Sequence, residues 1–384
     1  MANILFTWEI GEGSGHIAHH IGLIKQLEKE NHHIFFAARQ LNRAYRLFQD
    51  TQVICLQAPS LSAPPAFIIN PVDSYVKILN NSGYCNADNI TGMIIAWKNL
   101  FDLVRPDLII FDYSPTAMLA ARQYPAKTIH IGTGFYCPPN TKPVIGLNSL
   151  QGDPQDQQEL IHFEELILSN INQALANLKM KALGQFGDLH QADVRLLLGF
   201  RELEHYPNRT DGNYIGILTA PPGAVPEWPE GKGPRIFMYT KPFSTLPKLL
   251  GILRQKQWPT LIYPDGLGRR LMQHFASPSL KFVEQRLDMD NLGKTADITI
   301  CNGNFNTTCE FLLAGVPMLL LPLHAEQHIV SRNIVRQGAG LCSAEKTPED
   351  MASKAGGHDQ ESAFSDFSPR LWRATSRPGS PPCV

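Results

Sequence analysis

The chain has 384 residues, and its 34 lysines and arginines nearly balance its 35 aspartates and glutamates, for a formal charge of −1. This balance gives no support to nucleic-acid binding, and the length predicts more than one domain. Its 7 cysteines include no CxxC pair, which favours reduced thiols over disulfides or a zinc site. No cleavable leader and no apolar run long enough to span a bilayer is recognisable, so we expect a cytoplasmic protein without a transmembrane segment. Peripheral membrane contact stays open.

Strand-like and helix-like stretches alternate along most of the chain. "NILFTWEI", "HIAHHIGLIKQLEKE" and "HHIFFAAR" predict a β-α-β unit with parallel strands. "PDLIIFDYS", "KTIHIGT" and "VRLLLGF" are typical of further strands, and residues 151–183 of a helix. After the Pro- and Gly-rich "TAPPGAVPEWPEGKGP", the alternation resumes through "VPMLLLPL". The pattern predicts an α/β fold with an N-terminal domain over 1–217, a linker over 218–233 and a C-terminal domain over 234–350.

The end of the chain differs from the rest. Residues 351–384 have no periodicity and are crowded with serine, proline, glycine and arginine. They are typical of an irregular tail, and a shift of reading frame produces so abrupt a change.

A glycine-rich corner follows the first predicted strand. In "GEGSGH", Gly13 and Gly15 precede His16 at the start of the predicted helix. The dinucleotide fingerprint G-x-G-x-x-G fails here, since His16 stands where its last glycine belongs. A tight turn with a locally packed histidine and a catalytic histidine above the sheet edge both fit the pattern.

Asp112 ends the apolar strand "LIIF" and should lie at the same sheet edge. A carboxylate there could orient the imidazole of His16 for general-base work. The alternative role for Asp112 is to cap the following helix. The adjacent pairs His19–His20 and His32–His33 lack further ligands in the sequence, so we expect solvated or helix-surface side chains there and no metal site.

The stretch "CNGNFNTTCEFLLAGVPMLLLPLHAEQ" resembles the donor-binding signature of the GT-B glycosyltransferases, in the UDP-glycosyltransferase superfamily that includes MurG-like enzymes. "NFNTTCE", "GVP", Pro322 and the final "EQ" carry the resemblance, and "GSGH" and "PDLIIFDYS" extend it to the first half. It implies two Rossmann-like domains facing each other across a cleft. The first would bind the acceptor and the second a nucleotide-sugar.

The resemblance also implies roles for individual residues. His16 matches the catalytic base, Asp112 the acid that orients it, and Gly13 and Gly15 the glycine loop. The positions that match the nucleotide-sugar site are Asn302, Gly303, Asn306, Thr307, Glu310, Glu326 and Gln327.

Within that set the implied partners differ. Glu310 would accept hydrogen bonds from the ribose hydroxyls, and Asn306 and Thr307 would approach the diphosphate. Glu326 and Gln327 would contact hydroxyls of the donor sugar. Because "NTTCE" is predicted to begin a helix, its N-terminus would also favour a phosphate.

Four positions depart from the family pattern, and so does the irregular tail. Such enzymes complete the second domain with further helices, so the resemblance implies that the C-terminal domain is incomplete here. Asn302 and Asn304 stand where a histidine and a glycine are common, and "KP" at Lys241 replaces a Gly-Ser pair. A neutral asparagine makes a weaker contact with phosphate than a charged side chain does.

Together these features predict an inverting glycosyltransferase that moves a hexose-type sugar from a nucleotide-sugar, a UDP- or dTDP-sugar, to an acceptor hydroxyl. The acceptor, whether small molecule, lipid or glycan, is not named by the sequence, and no cofactor or metal is expected. A nucleotide-sugar epimerase of the same fold and a non-catalytic or decayed nucleotide-sugar-binding protein are the alternatives.

Overall fold

The computed structural model describes residues 1–343 except 12, 62–64, 66, 71, 144–145, 148–153 and 207–208. The predicted tail at 351–384 lies outside the described residues, as do positions 344–350. The chain divides into two compact units, of which the first is Met1–Pro221 and the second begins at Pro222. The domain and linker boundaries given above remain predictions.

The first unit is built on six strands and seven α-helices among its described residues. The strands are β1 (Asn3–Trp8), β2 (His33–Ala38), β3 (Ile54–Gln57), β4 (Leu108–Asp112), β5 (Lys127–Gly132) and β6 (Val194–Leu197). The helices are α1 (Gly15–Ala18), α2 (Ile21–Lys29), α3 (Leu41–Leu47), α4 (Tyr75–Leu79), α5 (Ala87–Val104), α6 (Pro115–Ala121) and α7 (Pro154–Asn177). All strand pairs are parallel, in the order β3-β2-β1-β4-β5-β6.

The second unit repeats this plan. Its strands are β7 (Ile236–Thr240), β8 (Thr260–Pro264), β9 (Leu280–Phe282), β10 (Ile298–Cys301), β11 (Met318–Leu320) and β12 (Gly340–Cys342). Its helices are α8 (Leu246–Lys256), α9 (Arg269–Phe275), α10 (Met289–Thr295), α11 (Phe305–Leu313) and α12 (Ala325–Arg336). The order β9-β8-β7-β10-β11-β12 is again fully parallel.

Both sheets therefore have the Rossmann strand order 3-2-1-4-5-6. In such a sheet the chain reverses its direction of growth between the first and fourth strands, and ligands bind beyond the carboxyl ends at that switch point. The switch points lie between β1 and β4 in the first unit and between β7 and β10 in the second.

Burial explains the apolar runs. β1 and β4 are buried along almost their whole length, as expected for central strands covered on both faces. In the second unit, α8 packs its leucines at 246, 249, 250 and 253 on a core that includes Ile236 and Met238 of β7. Their spacing at i, i+3, i+4 and i+7 forms a single helix face.

The prediction of an α/β fold with two Rossmann-like units is confirmed. The helix predicted after β1 is interrupted between Ala18 and Ile21, so it forms the separate helices α1 and α2. Within the described part of the chain, no helix has the length and apolar character needed to cross a membrane.

Candidate active site

The predicted glycine corner follows β1 at the first switch point. Gly11 and Gly13 have φ angles of 91° and 98°, which a residue with a Cβ adopts only under strain. A Cβ at Gly11 would lie 3.0 Å from Nε2 of His16, whereas Gly13 and Gly15 have no such neighbour within 4 Å among the described residues. Gly11, which the sequence reasoning did not assign, thus makes room for the histidine, while Gly13 serves the turn itself.

His16 and Asp112 are brought together as predicted. Trp8 and Asp112 are register partners at the ends of β1 and β4, and α1 returns His16 toward this edge. The Nδ1 atom of His16 lies 2.7 Å from Oδ1 of Asp112. With Nδ1 donating to the carboxylate, Nε2 is the ring nitrogen that can accept a proton.

Aromatic side chains fix the ring of His16. Trp8 stacks on it with centroids 5.4 Å apart and an interplanar angle of 16°, and Tyr136 and Tyr113 lie at 5.1 and 5.8 Å. The His16 side chain keeps 12% of its surface exposed. It is therefore rigidly held yet still reachable from solvent, which suits a general base.

Tyr113 has a φ of 51°, although it is not a glycine. Its carbonyl accepts a hydrogen bond from the backbone of Ile10 at 3.0 Å, which ties the end of β4 to the segment after β1. Such a backbone costs about 1–3 kcal/mol and persists where the surroundings impose it. The strained residue directly follows Asp112, so it helps to set the direction of that carboxylate.

Two further histidines share Asp112. Its Oδ2 lies 2.9 Å from Nε2 of His20 and 3.0 Å from Nε2 of His19. Burial alone would raise the pKa of Asp112, but the attraction of His16 and hydrogen bonds from all three histidines hold it well below its usual range. The carboxyl group is therefore ionised at neutral pH.

The expectation that His19 and His20 are solvated or on a helix surface is wrong. Their relative exposures are 4% and 0%. His19 and His20 keep helical backbone angles in the turn between α1 and α2. Their spacing of i+3 and i+4 from His16 therefore brings the three side chains to one side, which meets Asp112. That spacing was the signal in the sequence; considering the two adjacent histidines only as a pair concealed it.

Asp112 does not cap α6, the alternative role considered for it. Glu9 serves the helix instead: its carboxylate accepts the backbone N–H groups of Thr116 and Ala117, both at 3.2 Å. It also accepts the Thr116 hydroxyl and, at 3.0 Å, the indole N–H of Trp97. Burial raises the pKa of Glu9 to about 7, although these four donors favour the charged form.

Asn302 follows β10 at the second switch point and is fully buried. Its Oδ1 accepts the backbone N–H of Lys241, just after β7, and its Nδ2 donates to the carbonyl of Leu321, just after β11, both at 2.8 Å. These bonds make the side chain a brace between three strand ends. Its assignment to the donor site stays a prediction.

Gly303 continues this loop with a φ of 82°. A Cβ there would lie 2.7 Å from Oγ of Ser331 and 3.0 Å from the carbonyl oxygen of Gln327, both on α12. Only glycine combines this conformation with so close an approach to α12.

We expect Gly303→Ala to lower the stability of the second unit by more than about 2 kcal/mol, since strain at positive φ and the clash with backbone add. Gly315→Ala is the matched control: its φ is 70°, but no atom of the described residues lies within 4 Å of the place its new methyl group would take. It should cost about 1 kcal/mol. Denaturant unfolding of the two variants gives the comparison, and equal losses would show that contact with α12 is unimportant.

Gln327 is also an internal brace. Its Oε1 accepts the backbone N–H of Leu323 at 2.8 Å, and its Nε2 donates to Oδ1 of Asn304 at 2.7 Å. The residue is 3% exposed. Asn304 immediately precedes α11 and makes no side-chain cap to that helix. Gln327 thus links the start of α12 to the start of α11, a role that its polarity alone did not reveal.

The other predicted donor residues lie on the first turns of two helices. The first turn of α11 holds Asn306 and the buried Thr307, and the first turn of α12 holds the half-buried Glu326. The structure therefore brings the predicted signature to one region of the second unit. Their assignments to the donor site stay predictions.

Glu310 lies one turn further along α11. Burial raises the pKa of its carboxyl group to about 7, although the positive charge of Arg286 opposes the shift. Arg286 was not assigned from the sequence, because nothing in the local pattern places it near α11. The pair gives this region a carboxylate poised to change its charge near neutral pH.

The sequence of the chain has only limited similarity to known proteins. No protein-family model matches it. A PGL/p-HBAD biosynthesis glycosyltransferase of Mycobacterium tuberculosis is 30% identical over 83 residues, which are 22% of this chain. The match spans about a fifth of the length of that curated relative, 19%.

Solved glycosyltransferase structures match nearly the whole chain. The glycotransferase of kitacinnamycin covers 97% of this chain and 95% of its own, with a TM-score of 0.65 and 15% identity. The match to VinC in complex with dTDP covers 97% of this chain and 94% of VinC, with a TM-score of 0.61 and 12% identity. The match to SnogD from Streptomyces nogalater covers 97% of this chain and 94% of SnogD, with a TM-score of 0.57 and 16% identity. The chain therefore has the GT-B fold of these glycosyltransferases.

Proposed function

We propose that the chain is an inverting glycosyltransferase that moves a sugar from a nucleoside diphosphate to an acceptor hydroxyl. The observation that carries the proposal is the His16–Asp112 pair, 2.7 Å apart at the carboxyl edge of the first sheet. The GT-B fold and the short similarity to a named glycosyltransferase support it. A passive binding protein gives no account of a base oriented in this way, and an epimerase would convert the sugar nucleotide without an acceptor.

The proposed reaction uses this pair directly. Nε2 of His16 takes the proton of the acceptor hydroxyl while the hydroxyl oxygen attacks the anomeric carbon of the sugar. The bond between that carbon and the diphosphate oxygen breaks, and the nucleoside diphosphate leaves with the electron pair. Asp112 holds the ring and stabilises the imidazolium that forms. Attack opposite the leaving group inverts the anomeric configuration.

The second unit is proposed to bind the donor. A diphosphate would lie at the N-terminus of α11, where the helix dipole and the polar side chains of Asn306 and Thr307 favour negative charge. Glu310 would accept the ribose hydroxyls, and Glu326 would contact the sugar. Because VinC was solved with dTDP, a dTDP- or UDP-sugar is the proposed donor, with a hexose as its sugar.

An acceptor screen tests the proposal. The full chain is incubated with UDP- or dTDP-glucose, with and without a pool of phenolic, polyol and lipid alcohols, and the release of nucleoside diphosphate and new glycosides is measured. We expect release that depends on the acceptor. Conversion of the sugar nucleotide without an acceptor would indicate an epimerase, and binding without turnover would indicate a passive binder.

Donor binding should depend on pH through Glu310. Its pKa is raised to about 7 in the protein alone, and hydroxyl donors of a bound ribose would favour the carboxylate and lower that pKa. Affinity for UDP or dTDP should therefore be greatest above pH 7 and fall as the pH drops below it, with protons released on binding. Calorimetry in two buffers of different ionisation enthalpy measures the release.

Glu310→Gln provides the matched variant for that measurement. It should bind the nucleotide about 1–3 kcal/mol more weakly above pH 7 and without proton release. Unchanged affinity and unchanged proton release would remove Glu310 from the donor site.

A further inference from the structure

Three ligand atoms meet beside the catalytic pair in a nearly equilateral triangle. Nε2 of His19 and Nε2 of His20 are 3.0 Å apart, and Oδ2 of Asp112 lies 3.0 and 2.9 Å from them. All three residues are buried, with relative exposures of 4%, 0% and 1%. The two histidines follow β1 and Asp112 ends β4. The three atoms therefore converge because these two strands are neighbours at the first switch point.

No placement of protons on the two neutral imidazoles makes all three contacts of this triangle attractive. If both imidazoles donate to Asp112, their two N–H groups face each other across 3.0 Å. If His20 instead donates to Nε2 of His19, that nitrogen carries a lone pair and no proton. Its lone pair then faces the lone pairs of the Asp112 oxygen, which repel it. Any neutral tautomer pair therefore leaves one edge of the triangle repulsive. A cation that accepts all three lone pairs removes the repulsion on every edge.

The triangle has suitable dimensions for such a cation. A tetrahedral zinc ion binds nitrogen and oxygen at about 2.0–2.2 Å, which separates its ligand atoms by about 3.3 Å. The observed edges are within a few tenths of an ångström of that separation. Two imidazoles and one carboxylate are also a known donor set of zinc sites that have three protein ligands.

The surroundings support a metal in two ways. Oδ1 of Asp112 accepts from His16, so the proposed ligand has the hydrogen-bonded outer partner that metal-binding carboxylates have. The ring of His20 packs against Phe6 and Phe36, with centroids 5.1 and 6.3 Å away. Imidazole donors disfavour Mg²⁺ and Ca²⁺, which prefer oxygen ligands.

We propose that His19, His20 and Asp112 form a binding site for a divalent transition-metal ion, with zinc as the ion that fits best. The sequence led us to expect no metal, because two adjacent histidines need a third ligand from elsewhere in the chain. Asp112, contributed by β4, is that ligand. The site shares Asp112 with the proposed catalytic pair, but its metal content is measured without any transfer assay and so tests it separately.

The test uses the full-length chain, stripped with a chelator and titrated with Co²⁺ as a spectroscopic substitute for zinc. We expect one Co²⁺ per chain, with the visible absorption of a four- or five-coordinate ion, displaced by one equivalent of Zn²⁺. Zinc should also raise the thermal midpoint of the chain, because it binds the folded state. Elemental analysis after removal of loosely held metal gives the stoichiometry.

His20→Phe is the main variant, because phenylalanine fills the same apolar surroundings without a ligand atom. It should weaken Co²⁺ binding by more than the ~10–100-fold that outer partners of a metal typically contribute. His19→Asn should do the same if His20→Phe folds poorly. The matched control changes the other adjacent pair, His32→Ala with His33→Ala, and should bind Co²⁺ as the wild type does.

Three results would overturn the proposal. One is the absence of stoichiometric Co²⁺ or Zn²⁺ in the folded wild type. Another is unchanged binding in a folded His20→Phe or His19→Asn variant. The third is a sulfur-to-metal charge-transfer band, which would show that cysteines hold the ion.

Discussion

His16→Ala should lower the turnover of glycosyl transfer by about two to four orders of magnitude, the usual contribution of a positioned general base. Its ring is held by Asp112 at 2.7 Å and by stacking on Trp8, so the alanine variant loses both the proton acceptor and its orientation. Donor affinity should change little, because the proposed donor residues belong to the second unit. Steady-state kinetics and calorimetry with the nucleotide measure the two quantities.

A double-mutant cycle with Asp112→Asn provides the control. If Asp112 acts through His16, removing both should slow the reaction little more than removing His16 alone, since residues that act as a unit are not additive. Wild-type turnover in His16→Ala would contradict the assignment of the base. Fully additive losses in the cycle would show that the two residues act separately.

The largest loss of stability is expected at Glu9. Glu9→Ala removes the carboxylate that accepts the indole N–H of Trp97, the Thr116 hydroxyl and two backbone N–H groups of α6. The indole and the two backbone N–H groups would lose their acceptor, while the Thr116 hydroxyl keeps its contact with Tyr84. Because each buried donor left unsatisfied costs about 1–3 kcal/mol, we expect a total loss of about 3–5 kcal/mol. Denaturant unfolding, monitored by tryptophan fluorescence, should show the loss in the first unit.

Glu9→Gln and Glu30→Ala are the matched comparisons. The glutamine keeps one acceptor oxygen and should lose less than the alanine variant does. Glu30 is exposed and lies at the end of α2, so its replacement should change stability by no more than about 0.5 kcal/mol. A loss at Glu9→Ala as small as this would mean that its hydrogen bonds do not stabilise the fold.

The sequence was a good guide where one pattern determines one element. Long apolar runs such as "LIIF" predicted central parallel strands, and the ends of two such strands placed His16 and Asp112 at one sheet edge. This inference required only that carboxyl ends of parallel strands lie side by side. The pairing at 2.7 Å confirms it.

It was a poor guide where a side chain's partner is distant along the chain. Asn302 and Gln327 are polar residues in a donor signature, yet both are buried braces bonded to backbone or to another side chain. Glu9 bonds to residues 88 to 108 positions away. Polarity shows that such a group needs a partner but does not distinguish a ligand from the protein's own backbone.

The anomeric configuration of the product is the decisive observation for the proposed displacement by the acceptor hydroxyl. The wild-type chain is incubated with the donor and the first acceptor that it glycosylates. Proton NMR then gives the anomeric configuration of the glycoside, which is compared with that of the donor. We expect a glycoside of inverted configuration, formed in step with the release of nucleoside diphosphate and only when acceptor is present. A glycoside of retained configuration would contradict a single displacement assisted by His16.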